Sequence, residues 1–221
     1  PGGPYVAVSE EYNGTGWASL ANINQARRQV GGAGTNTAAL IFGGGKGDPG
    51  AGPVTNSEEY NGTSWANGNT LNTARATTGF GIQTAAVAAG GATSVPPTYM
   101  TAVVEEYDGT SWSEETNITT TRFGSAGAGT LTAGILMGGK NPSTYLGTTE
   151  EYDGTNWTAG GTMGTGIAEG GGGGGPAGQS AAFNTFNCYG NLRWNKLDNF
   201  VRYFSNSYIF WNCGWNYKCR S

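Results

Sequence analysis

Glu150-Glu151-Tyr152-Asp153-Gly154-Thr155-Asn156-Trp157 is the fourth occurrence of one phrase, which reads EEYNGTGW at 10–17, EEYNGTSW at 58–65 and EEYDGTSW at 105–112. The tyrosines at 12, 60, 107 and 152 lie 48, 47 and 45 residues apart, a period that belongs to stacked or circular repeats of one supersecondary unit. Asn13-Gly14, Asn61-Gly62, Asp108-Gly109 and Asp153-Gly154 put residues tolerant of positive φ where a tight hairpin turn needs them. With a four-residue loop, Tyr12 faces Trp17, Tyr60 faces Trp65, Tyr107 faces Trp112 and Tyr152 faces Trp157 across two strands. Each such aromatic pair adds about 0.5–1 kcal/mol and marks a repeated core position.

Working outward, an arginine follows each of the first three tryptophans by ten residues, at Arg27, Arg75 and Arg122, and the fourth unit has Ile167 there. Next comes a small-residue segment such as GSAGAGTLTAGILMGG at 124–139, whose apolar end stops at a doublet: Gly43-Gly44, Gly90-Gly91 or Gly138-Gly139. Glycine suits places where backbones crowd, because no Cβ blocks the approach. One unit is therefore Arg, strand, strand, Gly-Gly, variable loop, strand with Glu-Glu-Tyr, turn, Trp and strand.

That order resembles the kelch repeat, over residues 4–183. The resemblance implies an all-β, kelch-like β-propeller of about four blades, each of four antiparallel strands, or a fragment of a larger ring. Continuous blades are expected at 27–66, 75–113 and 122–158, with a further blade shared between 168–183 and 4–18. In texture the phrases are most similar to kelch-like repeats of marine bacteriophage structural proteins.

Composition agrees with a large all-β domain: 41 of 221 residues are glycine, and no stretch sustains a 3.6-residue apolar period. No apolar run approaches the roughly 18 residues of a membrane span. The start at Pro1 shows no charged-then-apolar leader, which reads as a mature or excised piece.

From Asn184 the composition changes: eight Asn and eleven aromatic residues fall in 184–221, Glu disappears, and all three cysteines occur there, so no disulfide framework is legible. If the codons are shifted by one nucleotide from Phe186, every Trp followed by Asn becomes Gly. A phrase Thr-Ala-Thr-Glu-Thr-Tyr-Asp-Gly-Thr-Asn-Trp then becomes permitted. The tail 184–221 is accordingly read either as a distinct aromatic, Asn-rich segment or as an out-of-frame fifth repeat.

The resemblance extends to copper-radical oxidases, whose sites need histidine and a cysteine cross-linked to tyrosine. This chain has no histidine and no cysteine before Cys188, so that chemistry is not expected, nor is any cofactor or metal. The pairs Glu10-Glu11, Glu58-Glu59, Glu105-Glu106 and Glu150-Glu151 suggest acid–base or Ca²⁺ sites. Adjacent strand residues face opposite ways, however, so one Glu of each pair is expected inward, paired with the repeated Arg of a neighbouring unit. The unit with Ile167 is then expected to be the weakest. Glycines at 170–175 lack the helix and Lys-Ser/Thr of a phosphate loop. Sequons at Asn13, Asn61, Asn117 and Asn156 would matter only in a eukaryotic secretory host.

Net charge −4 and a pI near 4.8, without a basic patch, argue against nucleic acid as a partner. The expected function is a non-enzymatic binding or display module on a virion or extracellular surface, like a phage tail fibre, recognising a receptor or glycan. The alternative is a scaffold without ligand that forms a fibre, decorates a capsid or forms a homo-oligomer with itself or other virion proteins. Loops 45–53, 92–101 and 140–148 are the expected binding face, with Tyr99 and Tyr145 as sugar-stacking candidates.

Overall fold

The computed structural model describes residues 6–46, 52–93, 100–169, 171–174 and 182–185. In chain order the strands are β1 (Glu10–Tyr12), β2 (Trp17–Ser19), β3 (Arg27–Arg28), β4 (Gly31–Gly34), β5 (Ala39–Phe42), β6 (Gly45–Lys46), β7 (Ser57–Tyr60), β8 (Trp65–Asn67) and β9 (Ala76–Ile82). They continue with β10 (Ala85–Ala92), β11 (Met100–Tyr107), β12 (Trp112–Glu115), β13 (Ala126–Thr130), β14 (Ala133–Met137), β15 (Thr148–Tyr152), β16 (Trp157–Thr162), β17 (Gly171–Gly174) and β18 (Ala182–Thr185). The described residues contain no helix.

Three antiparallel sheets have four strands each, ordered β4-β5-β7-β8, β9-β10-β11-β12 and β13-β14-β15-β16, so each repeat unit is one meander. The pairs β1-β2, β3-β6 and β17-β18 are separate two-stranded sheets. The described residues form no closed ring. Hairpin β1-β2 lies against the first four-stranded sheet through its flanking residues: Trp65 Nε1 donates to Ser9 Oγ at 3.2 Å and Asn24 Nδ2 to the Trp65 carbonyl at 3.2 Å. β18 includes Asn184 and Thr185, where the composition changes, and residues 186–221 lie outside the described residues.

The repeated phrase folds as its spacing predicts. Tyr12 pairs with Trp17, Tyr60 with Trp65, Tyr107 with Trp112 and Tyr152 with Trp157. Their ring centroids are 5.5, 5.1, 5.0 and 4.6 Å apart. Within the turn, only the glycine takes positive φ (Gly14 +96°, Gly62 +88°, Gly109 +91°, Gly154 +95°). The preceding Asn or Asp serves differently from expectation, as an acceptor. Asp153 Oδ1 receives the amides of Thr155 and Asn156 at 2.8 and 2.7 Å, and Asn13, Asn61 and Asp108 do the same in their turns. Those amides hold the Asp108 and Asp153 carboxyls below the usual range.

The core lies between successive sheets. Leu40, Phe42, Ala86, Ala88, Tyr107 and Trp112 fill the gap between the first and second four-stranded sheets. Phe80, Val87, Val104, Leu136, Tyr152 and Trp157 fill that between the second and third. The first strands run beside one another, β4 next to β9, β9 next to β13 and β13 next to β17. Their glycines allow it: a Cβ on Gly79 would sit 2.8 Å from the Gly32 backbone, and one on Gly127 would sit 2.8 Å from the Gly79 carbonyl.

Each four-stranded sheet is pinned by a buried ion pair, Arg27–Glu58 at 2.7 Å, Arg75–Glu105, and Arg122–Glu150 at 2.7 Å. The repeated Arg thus pairs with the glutamate of its own unit, not of a neighbour as the sequence suggested. The reason is local: the arginine enters just before the unit's first strand, and its guanidinium also donates to that unit's first doublet carbonyl, Gly43, Gly90 or Gly138. Each glutamate is completed by two backbone amides, from Asn24 and Gln25, Asn72 and Thr73, or Thr119 and Thr120. Burial pulls all three guanidinium groups below the usual arginine range, and the facing glutamate opposes this.

Candidate binding surface

Both residues of every doublet are left-handed: φ is +62° and +89° at Gly43-Gly44, +58° and +115° at Gly90-Gly91, and +64° and +94° at Gly138-Gly139. This turns the chain so that the second glycine's N–H reaches the next unit. Gly44 donates to the Arg75 carbonyl (2.9 Å), Gly91 to Arg122 (2.8 Å) and Gly139 to Ile167 (2.7 Å). Ile167 therefore keeps the backbone half of the arginine's role while losing the guanidinium. The three variable loops leave from these doublets, so the repeat places them at equivalent positions of successive sheets.

Loop 140–148 is fully described. Lys140 bridges to both Phe123 and Tyr145. Asn141 Oδ1 accepts the amides of Ser143 and Thr144, each at 2.9 Å, repeating the hairpin-tip turn. Leu146 donates to the Gly139 carbonyl at 2.7 Å and buries its side chain, and Met163 donates to Gly147 at 2.7 Å. Tyr145 sits between these anchors with 62% of its surface exposed. Across the bridge, Lys140 Nζ lies 2.9 Å from Glu169 Oε1 and 5.6 Å from the Phe123 ring centroid. The result is a fixed loop offering an aromatic face, a cation and a carboxylate. Tyr99 and the centres of the other two loops, 47–51 and 94–99, lie outside the described residues.

The paired glutamates are not paired acids. Glu58, Glu105 and Glu150 are consumed by their arginines. Of their partners, Glu59 accepts the Tyr107 hydroxyl and Glu106 the Tyr152 hydroxyl at 2.7 Å, each from the following sheet. Burial is the main cause that raises the Tyr107, Tyr152 and Glu106 groups above their ordinary values; the facing carboxylates add to it for the tyrosines, and the Tyr152 hydrogen bond opposes it at Glu106. No group of three or more metal-ligating side chains occurs among the described residues.

The sequence treated these tyrosines only as packing. Nothing in the spacing distinguishes a hydroxyl that bridges two sheets from one that meets water. The repeated tryptophans also differ in setting: Trp112 and Trp157 are 7% and 6% exposed, Trp65 is half-buried, and Trp17 is 71% exposed.

No family model matches the chain, and no curated protein matches it. Among solved structures, that of YjhT superposes with a TM-score of 0.60 at 15% sequence identity, over 79% of this chain and 71% of that one. At that identity the likeness concerns the fold alone: an all-β arrangement of repeated four-stranded antiparallel sheets.

Proposed function

We propose that the chain is a non-enzymatic display module built as a kelch-like β-propeller or an arc of one, working on a virion or extracellular surface. The strand order, the Gly-Gly doublets and the successive packing of sheets support the architecture. The acidic, Gly-, Thr- and Asn-rich composition supports the exposed location. The loops after the doublets present the binding face, and the ligand is a glycan or a glycosylated receptor.

The observation that carries this reading is Tyr145. A tyrosine held out by bonds on both sides costs little entropy to order, and its flat face suits stacking on a sugar ring. Lys140 and Glu169 beside it supply donors and acceptors for hydroxyl groups. Glycan-array binding by the intact chain tests it. The reading expects binding that is lost in the Tyr99→Ala plus Tyr145→Ala variant, and it fails if binding survives that variant. The scaffold reading is favoured by one separate feature, the exposed Trp17 at the end of the series of sheets.

A further inference from the structure

Contacts between successive sheets are directional. The later sheet supplies the aromatic donors: the tyrosine hydroxyl reaches the second glutamate of the earlier sheet, Tyr107 to Glu59 and Tyr152 to Glu106. Trp112 Nε1 likewise donates to the Asn69 carbonyl at 3.1 Å. Indoles of the later sheet lie on phenylalanines of the earlier one, Trp112 on Phe42 at 4.8 Å and Trp157 on Phe80 at 6.2 Å. For these aromatic contacts the second and third four-stranded sheets each turn a Tyr–Trp side toward the sheet before them, and the first and second each offer a glutamate–phenylalanine side to the sheet after them.

The two ends of the series leave one of each without its counterpart. At the first end, Tyr12 donates back to the Gly14 carbonyl of its own turn at 3.0 Å. Trp17 is 71% exposed, with Val6 at 62% and Val8 at 57%. At the other end, Glu151 occupies the position of Glu59 and Glu106 but receives no tyrosine among the described residues. Beyond it, β17-β18 lies beside β13 and, among the described residues, supplies two strands of the next unit. In the repeat the two strands that would follow are a Tyr–Trp hairpin, and among the described residues the hairpin without a four-stranded sheet of its own is β1-β2.

We propose that copies of this chain associate head to tail, with hairpin β1-β2 of one copy seated on the Glu151 side of another and the Tyr12 hydroxyl donating to the Glu151 carboxylate. The occupant is a second copy because the first four-stranded sheet already holds the residues flanking the hairpin, Ser9 and Asn24, on one side, with Trp17 left in water. The contact is heterologous, so each copy keeps one unused end and association runs on to a ring or a filament. This holds whether or not the loop face binds a glycan.

Sedimentation velocity of the full chain over a wide concentration range tests the inference. The expected result is a mass that grows with concentration, and monomers for Trp17→Ser and for Glu151→Lys alone. Mixed together, those two variants are expected to stop at a heterodimer, since each retains the end the other lacks. Both positions are at least partly exposed, and far-UV circular dichroism of each variant confirms the fold. A wild-type chain that stays monomeric throughout, or oligomers that persist unchanged in both variants, would overturn it.

Discussion

Replacing Arg75 by Met isolates what the buried ion pair contributes. Arg75 is 0% exposed; its Nε donates to the Gly90 carbonyl (3.1 Å), its Nη1 to Thr73 (3.1 Å) and to Glu105, and its Nη2 to Ala88 (3.0 Å). Arg75→Met leaves Glu105, also 0% exposed, with only the amides of Asn72 and Thr73. Stranding one partner of a buried pair costs about 3–5 kcal/mol. The freed carbonyls of Gly90 and Ala88 place this case toward the upper end. Against a domain stability of about 5–15 kcal/mol, that loss is large. Glu105→Gln in the same chain removes the stranded charge while keeping one oxygen, which serves one of the two amides that bond separately to Oε1 and Oε2. The double variant should therefore be less destabilised than the two single changes sum to, by about 0.5–3 kcal/mol. Urea titration followed by tryptophan fluorescence measures all four chains at constant denaturant slope. An Arg75→Met penalty below about 1 kcal/mol, the level of an exposed ion pair, would refute the reasoning.

Other outcomes follow from single positions. Gly91→Ala forces φ of +115° on an alanine and sets its Cβ 2.0 Å from the Ala76 carbonyl, so it should lose at least about 1–3 kcal/mol in the same titration. Gly161→Ala, with open space around it and no positive φ, should be neutral or gain about 0.4–1 kcal/mol. Trp112→Ala, which removes a 7% exposed indole packed at a tilt against Tyr107 and Phe42, should cost about 3–5 kcal/mol, whereas Trp17→Ala in a monomer should fall within about 0.5 kcal/mol of wild type. The raised Tyr107 and Tyr152 hydroxyls hold their protons in the folded state while unfolded tyrosine ionises near 10.0, so stability should fall as pH rises through that value. Tyr107→Phe plus Tyr152→Phe should flatten that alkaline loss in pH-stepped melts, and an unchanged slope would count against the assignment.

The hairpins were legible because a four-residue gap between Tyr and Trp leaves one register, and the doublets because Gly-Gly after an apolar strand has few other uses. The Arg–Glu pairing was legible as chemistry but not as partnership. In a near-exact repeat, Arg75 stands at a fixed offset from Glu58 behind it and from Glu105 ahead of it, and spacing alone treats the two alike. Only the path of the chain into β9 puts the guanidinium on Glu105. The Tyr–Glu bridges between sheets were hidden for a related reason: side-chain alternation says which face a glutamate takes, not what stands opposite. Ile167 read as a break, yet its carbonyl still receives Gly139. Of the binding candidates, Tyr145 stands exposed on a pinned loop, a property that follows from long-range bonds to Gly139, Gly147 and Met163 that no local motif encodes.

The central claim is that successive repeats pack as neighbouring sheets joined by a tyrosine hydroxyl on the second glutamate. A double-mutant cycle of Tyr152→Phe and Glu106→Gln reads that contact in free energy, because the two residues lie 46 apart in sequence and meet only if the sheets do. The account predicts a coupling of about 0.5–3 kcal/mol. Two changes that simply add, to within about 0.3 kcal/mol, would show that these sheets do not meet and would contradict it.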